Sequence, residues 1–512
     1  MGGPERASVN EPVLVGERPL CLEDVRQVAL GARVQLTEDA ATREKLERAA
    51  RAVEHAVTRG ERIYGVTTGF GDACQNDVPE AAQALLARNL HRYHRAGVGP
   101  VFPREETRAI LLARLVSLAR GHSGVRTRTL LLLAELLNRD VLPQIPCRGS
   151  VGASGDLTPL AYVAAALEGE GTVTLEGAAL PAADALGRVG LSPLTLAPKE
   201  SLSLMNGTSA MTGVAILGWL RAERLGRFAA ALTALAVETL HGEPAHFDRR
   251  IFELKAHPGP RTFAEWVRAD LGDFSPPRGP DARLQDRYSV RCAPHVVGVL
   301  LDVLPEARRF LEIELESVND NPLVVPETGE LLRSGNFYGG HVCHAADSLK
   351  VAVANVADLL DRQLALLVDS KTNAGLPRDL VLAPVEERIV HHGFKAMQIT
   401  ASALTAEALK LTLPASVFSR STESHNQDKV SLGTIAARDL SAALDLVETV
   451  AVVHLLALCQ AVDARGGPRS PRARALHAAV RAKVPSNVAD RPMDDDVGVA
   501  LTSYRSGELL GD

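Results

Sequence analysis

Apolar residues return every three or four positions through residues 111–137, 210–240, 296–315, 341–367, 389–413 and 431–458. That spacing puts one face of each segment in a core and predicts helices, several of them longer than an average globular helix. Helices of such length suit a bundle, so the pattern predicts a mainly α fold. Between them, residues 64–77, 147–159, 273–288 and 327–340 are rich in Gly and Pro, where a helix cannot easily run. Chemistry is expected in those breaks. Apolar and polar residues alternate at the start of residues 171–190 up to a Gly, which predicts a small surface hairpin. No repeat of fixed period is present. The first ~20 residues read as a mobile tail, and the Gly/Pro/Arg-rich residues 465–472 read as a linker.

Composition supports this picture. With 46% hydrophobic and 23% charged residues the chain is globular, and with only 4% aromatics it is better suited to packed helices than to a β-sandwich. A net charge of −6 and the absence of a long basic run argue against a nucleic-acid partner. The six cysteines are scattered without metal-ligand spacing, so neither a disulfide framework nor a structural zinc site is expected. No apolar stretch follows a basic start at the N-terminus, and the longest apolar runs meet a charge early, as residues 210–220 do at Arg221. A cytoplasmic protein with no membrane partner is expected.

The most specific segment is Gly149-Ser150-Val151-Gly152-Ala153-Ser154-Gly155-Asp156-Leu157. Taken alone, it fits a Gly-rich turn with Asp156 capping the next helix. It also holds the residues that an autocatalytic backbone cyclisation needs. The Gly155 nitrogen, unhindered by a Cβ, can attack the Ala153 carbonyl. Loss of water from the ring and from Ser154 then leaves a methylidene-imidazolone, an electrophile made without an added cofactor.

Six further blocks accompany it in a fixed order: Tyr64-Gly65-Val66-Thr67-Thr68-Gly69-Phe70-Gly71, Met205-Asn206-Gly207-Thr208-Ser209, Gln285-Asp286-Arg287-Tyr288-Ser289-Val290-Arg291-Cys292, Asn319-Asp320-Asn321-Pro322-Leu323, Ser334-Gly335-Asn336-Phe337 and Ser424-His425-Asn426-Gln427-Asp428-Lys429-Val430-Ser431. Together they resemble the aromatic amino acid ammonia-lyases and 2,3-aminomutases, the methylidene-imidazolone enzymes that include histidine, phenylalanine and tyrosine ammonia-lyases. The resemblance runs from about residue 20 to residue 460. It implies a long-helix bundle of the type shared with fumarase, divided into a tail at 1–20, an N-terminal lobe at 21–200 with the base loop and ring segment, and a central bundle with C-terminal helices at 201–512.

The resemblance also implies roles. Ala153, Ser154 and Gly155 form the electrophile. Tyr64 matches the family's base, a part a phenol can play only if its surroundings lower its pKa. Arg291 matches the arginine that grips the substrate carboxylate, and a planar guanidinium can do so bidentately. Asn206, Asn336 and Phe337 match groups around the ring and the substrate, and amides suit a closed pocket because they add no charge. Gln285 and the catalytic Tyr288 match an outer lid, with Tyr288 often donated by a neighbouring subunit of a homotetramer, and residues 273–280 serve as its hinge.

The selectivity position falls at Tyr93-His94. A buried imidazole at His94 disfavours a bare phenyl ring and can pair with a phenol or another imidazole, unless it only satisfies a backbone carbonyl. Histidine lyases carry a Glu where this chain has Gln427. The expected reaction is elimination of ammonia from L-tyrosine to give 4-coumarate. The alternatives are a 2,3-aminomutase reaction giving β-tyrosine and a histidine ammonia-lyase reaction giving urocanate. Neither competing class fits: a ring-free fumarase-type lyase lacks its serine-loop pattern here, and a non-catalytic relative would have lost Tyr64, Ser154 or Arg291.

Overall fold

The computed structural model describes residues 11–277 and 283–511. Positions 1–10 of the expected tail and Arg278, Gly279 and Pro280 of the expected hinge lie outside them. The fold is mainly α, as the periodicity predicts. Its longest helices are Ser209–Thr239, Ala293–Leu315, Gly340–Val368 and Gly433–Ala464, at 31, 23, 29 and 32 residues.

Two expected helices come out shorter. Residues 111–137 form two helices, Arg104–Ala119 and Thr127–Asn138. The break holds Gly121 and Gly124 at φ of +77° and +67°, in the left-handed region that glycine enters freely. Residues 389–413 are α-helical only over Lys395–Lys410, and Gly393 just before it sits at φ +52°. The hairpin is formed as expected by Thr172–Leu175 and Ala178–Pro181, turning at Glu176 and Gly177, both left-handed.

The described residues divide into two compact units. Four of the five boundaries fall within long helices, so neither unit is one stretch of sequence. The first takes 1–220, 307–347 and 414–438. Its Arg104–Ala119 helix is buried on every side from Thr107 onward, and two arginines are buried with it. Arg114 donates to the carbonyls of Ser203 and Asn319 at 2.6 and 3.2 Å, and desolvation lowers its pKa to about 10. Lys199 pairs with Asp320 at 2.8 Å, both fully buried. These charges tie three sequence-distant segments together behind the ring segment. A buried charge holds its place only when it is paired and hydrogen-bonded, so the network fixes one arrangement.

The second unit takes 221–306, 348–413 and 439–512. The stretch expected to be a linker is firmly held here. Arg465 donates to the carbonyls of Thr239, Asn373 and Ala374, and Glu238 accepts from the amides of Arg469 and Ser470. The Gly433–Ala464 helix is long and apolar enough to cross a bilayer, but 78% of its most apolar window is buried inside the protein, as in a core helix.

Candidate active site

A cavity of about 320 Å³ in the first unit is lined by Tyr64, Phe70, Gly71, Leu90, Tyr93, His94, Ala153, Ser154, Leu157, Leu202, Asn206, Thr422, Glu423 and Gln427, among others. A neighbouring opening of about 260 Å³ shares Tyr64, Gly71, Ala153, Ser154 and Gln427 with it and adds Asn321, Phe337 and Tyr338. Three of the four Gly/Pro-rich breaks, 64–77, 147–159 and 327–340, therefore converge. Gly155 lies buried behind the lining, and Asn336 does not line either space. Its amide instead donates to the Val318 carbonyl at 3.3 Å.

Tyr64 stands on a loop whose glycines are required by close packing. A Cβ on Gly65 would lie 2.6 Å from the Phe70 ring. The Gly71 amide donates to the Tyr64 hydroxyl oxygen at 2.8 Å, and the next amide, that of Asp72, donates to Glu423 at 2.8 Å. Two consecutive backbone donors thus hold a phenol and a carboxylate side by side. Burial raises the Tyr64 pKa, the Gly71 amide opposes the rise, and the Glu423 charge adds to it. The expected lowering is thus reversed in the single chain.

Glu423 is the site residue that sequence reading missed. It heads three consecutive left-handed residues, Glu423, Ser424 and His425, at φ of 50°, 54° and 65°. Left-handed backbone costs a non-glycine residue about 1–2 kcal/mol, so the turn persists only because its ends are tied. Thr422 and Gln427 exchange backbone hydrogen bonds at 3.0 and 3.2 Å, and the Thr422 hydroxyl donates to Gln427 Oε1 at 2.8 Å. Gly71 makes room for the turn: a Cβ there would lie 1.7 Å from Glu423 Oε1. The one available signal was the carboxylate's place four residues before Gln427, immediately ahead of the Ser424–Ser431 block.

His94 ends the Glu80–His94 helix and donates through Nδ1 to the Leu90 carbonyl at 3.0 Å. The backbone contact considered for it is therefore present, and it leaves Nε2 as a lone-pair acceptor. Burial lowers the ring's pKa, which favours that neutral form. Gln427 presents the opposite group. Its oxygen is taken by Thr422, and its amide nitrogen has no partner among the described residues.

Ser154 and Gly155 form a left-handed pair at φ of 46° and 77°. The Ser154 carbonyl accepts from the Gly207 amide at 3.1 Å, and a Cβ on Gly155 would lie 2.2 Å from the Gly207 carbonyl oxygen. Nearby, Asn206 donates to the Asn321 carbonyl at 2.9 Å, and its own Oδ1 is buried without a partner among the described residues. A tight turn with glycine where a Cβ cannot fit, next to an orphaned acceptor, accommodates a methylidene-imidazolone built from Ala153, Ser154 and Gly155.

Asp156 does not cap its own helix. It accepts from Met211 at 2.8 Å and so caps the Ser209–Thr239 helix, with Ser150 and Thr434 as further donors. Desolvation raises its pKa to about 6, and that of Glu314, which accepts from Thr208 at 2.6 Å, to about 7.

Gln285, Tyr288 and Arg291 belong to the second unit and line neither space. Gln285 is exposed, and so is Tyr288 at 72%. The Arg291 guanidinium lies 4.9 Å from the Tyr288 ring centroid and donates to the Asp286 carbonyl at 3.1 Å. It pairs with no carboxylate among the described residues. The Asp286 amide in turn donates to His246 at 3.1 Å, which holds the turn in place.

The chain is similar to known proteins in both sequence and fold. The sequence profile described as aromatic amino acid lyase matches residues 20–482. A histidine ammonia-lyase of Burkholderia multivorans is 40% identical over 484 residues, covering 94% of each chain. The crystal structure of a tyrosine aminomutase from Streptomyces globisporus superposes with a TM-score of 0.91 at 36% identity, covering 98% of each chain. A phenylalanine aminomutase of Pantoea agglomerans gives 0.90 at 32% identity, covering 96% of this chain and 98% of that one.

Proposed function

The chain belongs to the aromatic amino acid lyase family, a family of carbon-nitrogen lyases, and from that premise we propose that it eliminates ammonia from L-tyrosine to give 4-coumarate. The observation that carries the choice of substrate is the pair His94 and Gln427. With Nδ1 committed to Leu90 and Oε1 to Thr422, the pair offers one free acceptor and one free donor. A phenolic hydroxyl needs both. Phe70, Leu90, Leu157 and Leu202 supply apolar surface for the ring.

Three further interactions complete the reading. Glu423 receives the substrate ammonium, which neutralises the charge that raises the Tyr64 pKa. Tyr64 then takes the β-proton, its phenolate supported by the Gly71 amide. Asn206 Oδ1 accepts a hydrogen from the amine or from the group beside it. The ring built from Ala153, Ser154 and Gly155 supplies an uncharged electrophile that turns the amine into a better leaving group.

Arg291 would hold the substrate carboxylate, with Tyr288 and Gln285 closing over it. In the proposed homotetramer a neighbouring subunit contributes that turn, and this is consistent with Arg291 having no carboxylate partner of its own. Phe337 bounds the neighbouring opening, and Asn336 steadies the loop next to it.

Two other readings are each favoured by one observation. The 2,3-aminomutase reaction giving β-tyrosine is favoured by the likeness to the Streptomyces globisporus enzyme. Elimination from L-histidine is favoured by the name of the Burkholderia relative, although Gln427 gives the imidazole no carboxylate. Incubation with L-Tyr, L-Phe and L-His, with chromatographic separation of arylacrylates from β-amino acids, distinguishes the three. A preference for L-His of about tenfold in kcat/KM, or about 1.4 kcal/mol, would overturn the tyrosine reading. Intact mass tests the ring independently: the wild type should lack two waters, and Ser154→Ala should regain at least one.

A further inference from the structure

We propose that Thr422 is a positioning residue for substrate selectivity, which acts by fixing the Gln427 carboxamide so that it turns N–H, and not C=O, toward the cavity. This rests on the proposed recognition of a phenolic hydroxyl. A glutamine amide is nearly symmetric in shape, and a half-turn about its last torsion exchanges its donor for its acceptor. The neighbours alone decide which end faces the substrate.

Here that neighbour is the Thr422 hydroxyl, which donates to Gln427 Oε1 at 2.8 Å. Turning the amide over would bring N–H to a hydroxyl oxygen and strand the hydroxyl hydrogen, because Thr422 has no other acceptor among the described residues. The flipped state therefore loses a hydrogen bond within the protein and also presents a second acceptor to the cavity that His94 lines. Two acceptors repel each other across a shared proton site and can satisfy only half of a hydroxyl.

The backbone makes the contact dependable. Reciprocal bonds between Thr422 and Gln427 hold the two side chains in register on the same edge of the turn. Both residues line the cavity, whereas the left-handed stretch between them carries the bend. Selectivity is thus set one residue away from the group that touches the substrate.

The test is Thr422→Val, which keeps the β-branched shape and removes only the hydroxyl, with Thr422→Ser as the conservative rescue. The ratio of kcat/KM for L-Tyr over L-Phe should fall about 2- to 10-fold in Thr422→Val and recover in Thr422→Ser. Thr422→Ala should give the same fall if valine disturbs the turn. Gln427→Leu separates the two levels of the argument. A lower ratio in Gln427→Leu with no change in either hydroxyl-free variant would refute the role of Thr422 and leave phenol recognition standing. An unchanged ratio in Gln427→Leu would overturn the recognition itself, and the role of Thr422 with it. In the Gln427→Leu background, Thr422→Val should change the ratio no further, and an additive loss would also count against the proposal.

Discussion

Replacing Gly71 by alanine should disable the site from a distance, and the loss can be worked from the structure. The new Cβ would fall 1.7 Å from Glu423 Oε1 and 2.2 Å from its Cδ, so the carboxylate has to leave. Backbone strain at φ +56° adds about 1–2 kcal/mol of destabilisation. The lost Asp72 bond adds roughly 0.5–1 kcal/mol more, a small figure because Glu423 is exposed in the single chain and solvent screens it. The catalytic effect is larger. A hydrogen bond to a charged group in a closed site is worth about 1.5–3 kcal/mol, so kcat/KM for L-tyrosine should fall by about 10- to 150-fold. Glu423→Ala should lose a similar factor, because both variants remove the same carboxylate from the same place. The double variant should therefore be little worse than Gly71→Ala alone, a coupling that a double-mutant cycle measures directly. Steady-state kinetics on the four proteins, with thermal melting as a check on folding, gives the answer. Losses that simply add would mean that Gly71 and Glu423 act separately and that the clash is not the cause.

Tyr64→Phe should fold and keep its ring by intact mass while turnover falls about 10²- to 10⁴-fold, the usual contribution of a general base. His94→Phe should narrow or invert the L-Tyr to L-Phe preference in kcat/KM, because the acceptor goes and apolar surface arrives. Glu423→Gln removes the negative charge that raises the Tyr64 pKa, so deprotonation becomes easier and the rising limb of kcat/KM against pH should move to lower pH even as KM rises.

Much of this was legible from periodicity and motif. The long helices follow from apolar spacing, and Tyr64, His94, Ala153, Ser154, Asn206 and Gln427 do line one cavity. What escaped were consequences of three-dimensional approach. Glu423 sits 351 positions from the Asp72 amide that holds it, and its place depends on an absent Cβ at Gly71 and on a turn of rare handedness. Asp156 looked like a local cap, because sequence spacing cannot reveal that the helix it caps starts 53 residues later, at Ser209. The break at Gly121 and Gly124 was hidden because apolar residues on both sides keep the helical beat. Tyr288 and Arg291 matched their motif as well as any block, yet both belong to the second unit and line neither space, which a motif alone does not reveal.

The left-handed turn has one more consequence, for how this enzyme can change. Ser424 occupies a conformation that glycine would adopt without strain, and unlike Glu423 on one side and Gln427 on the other it does not line the cavity. A library screened only for heat resistance should therefore collect glycine at Ser424. A library screened for new substrates should leave that position alone and vary Gln427, which lines the cavity beyond the bend. Stability and specificity can thus be tuned at positions three residues apart with little interference.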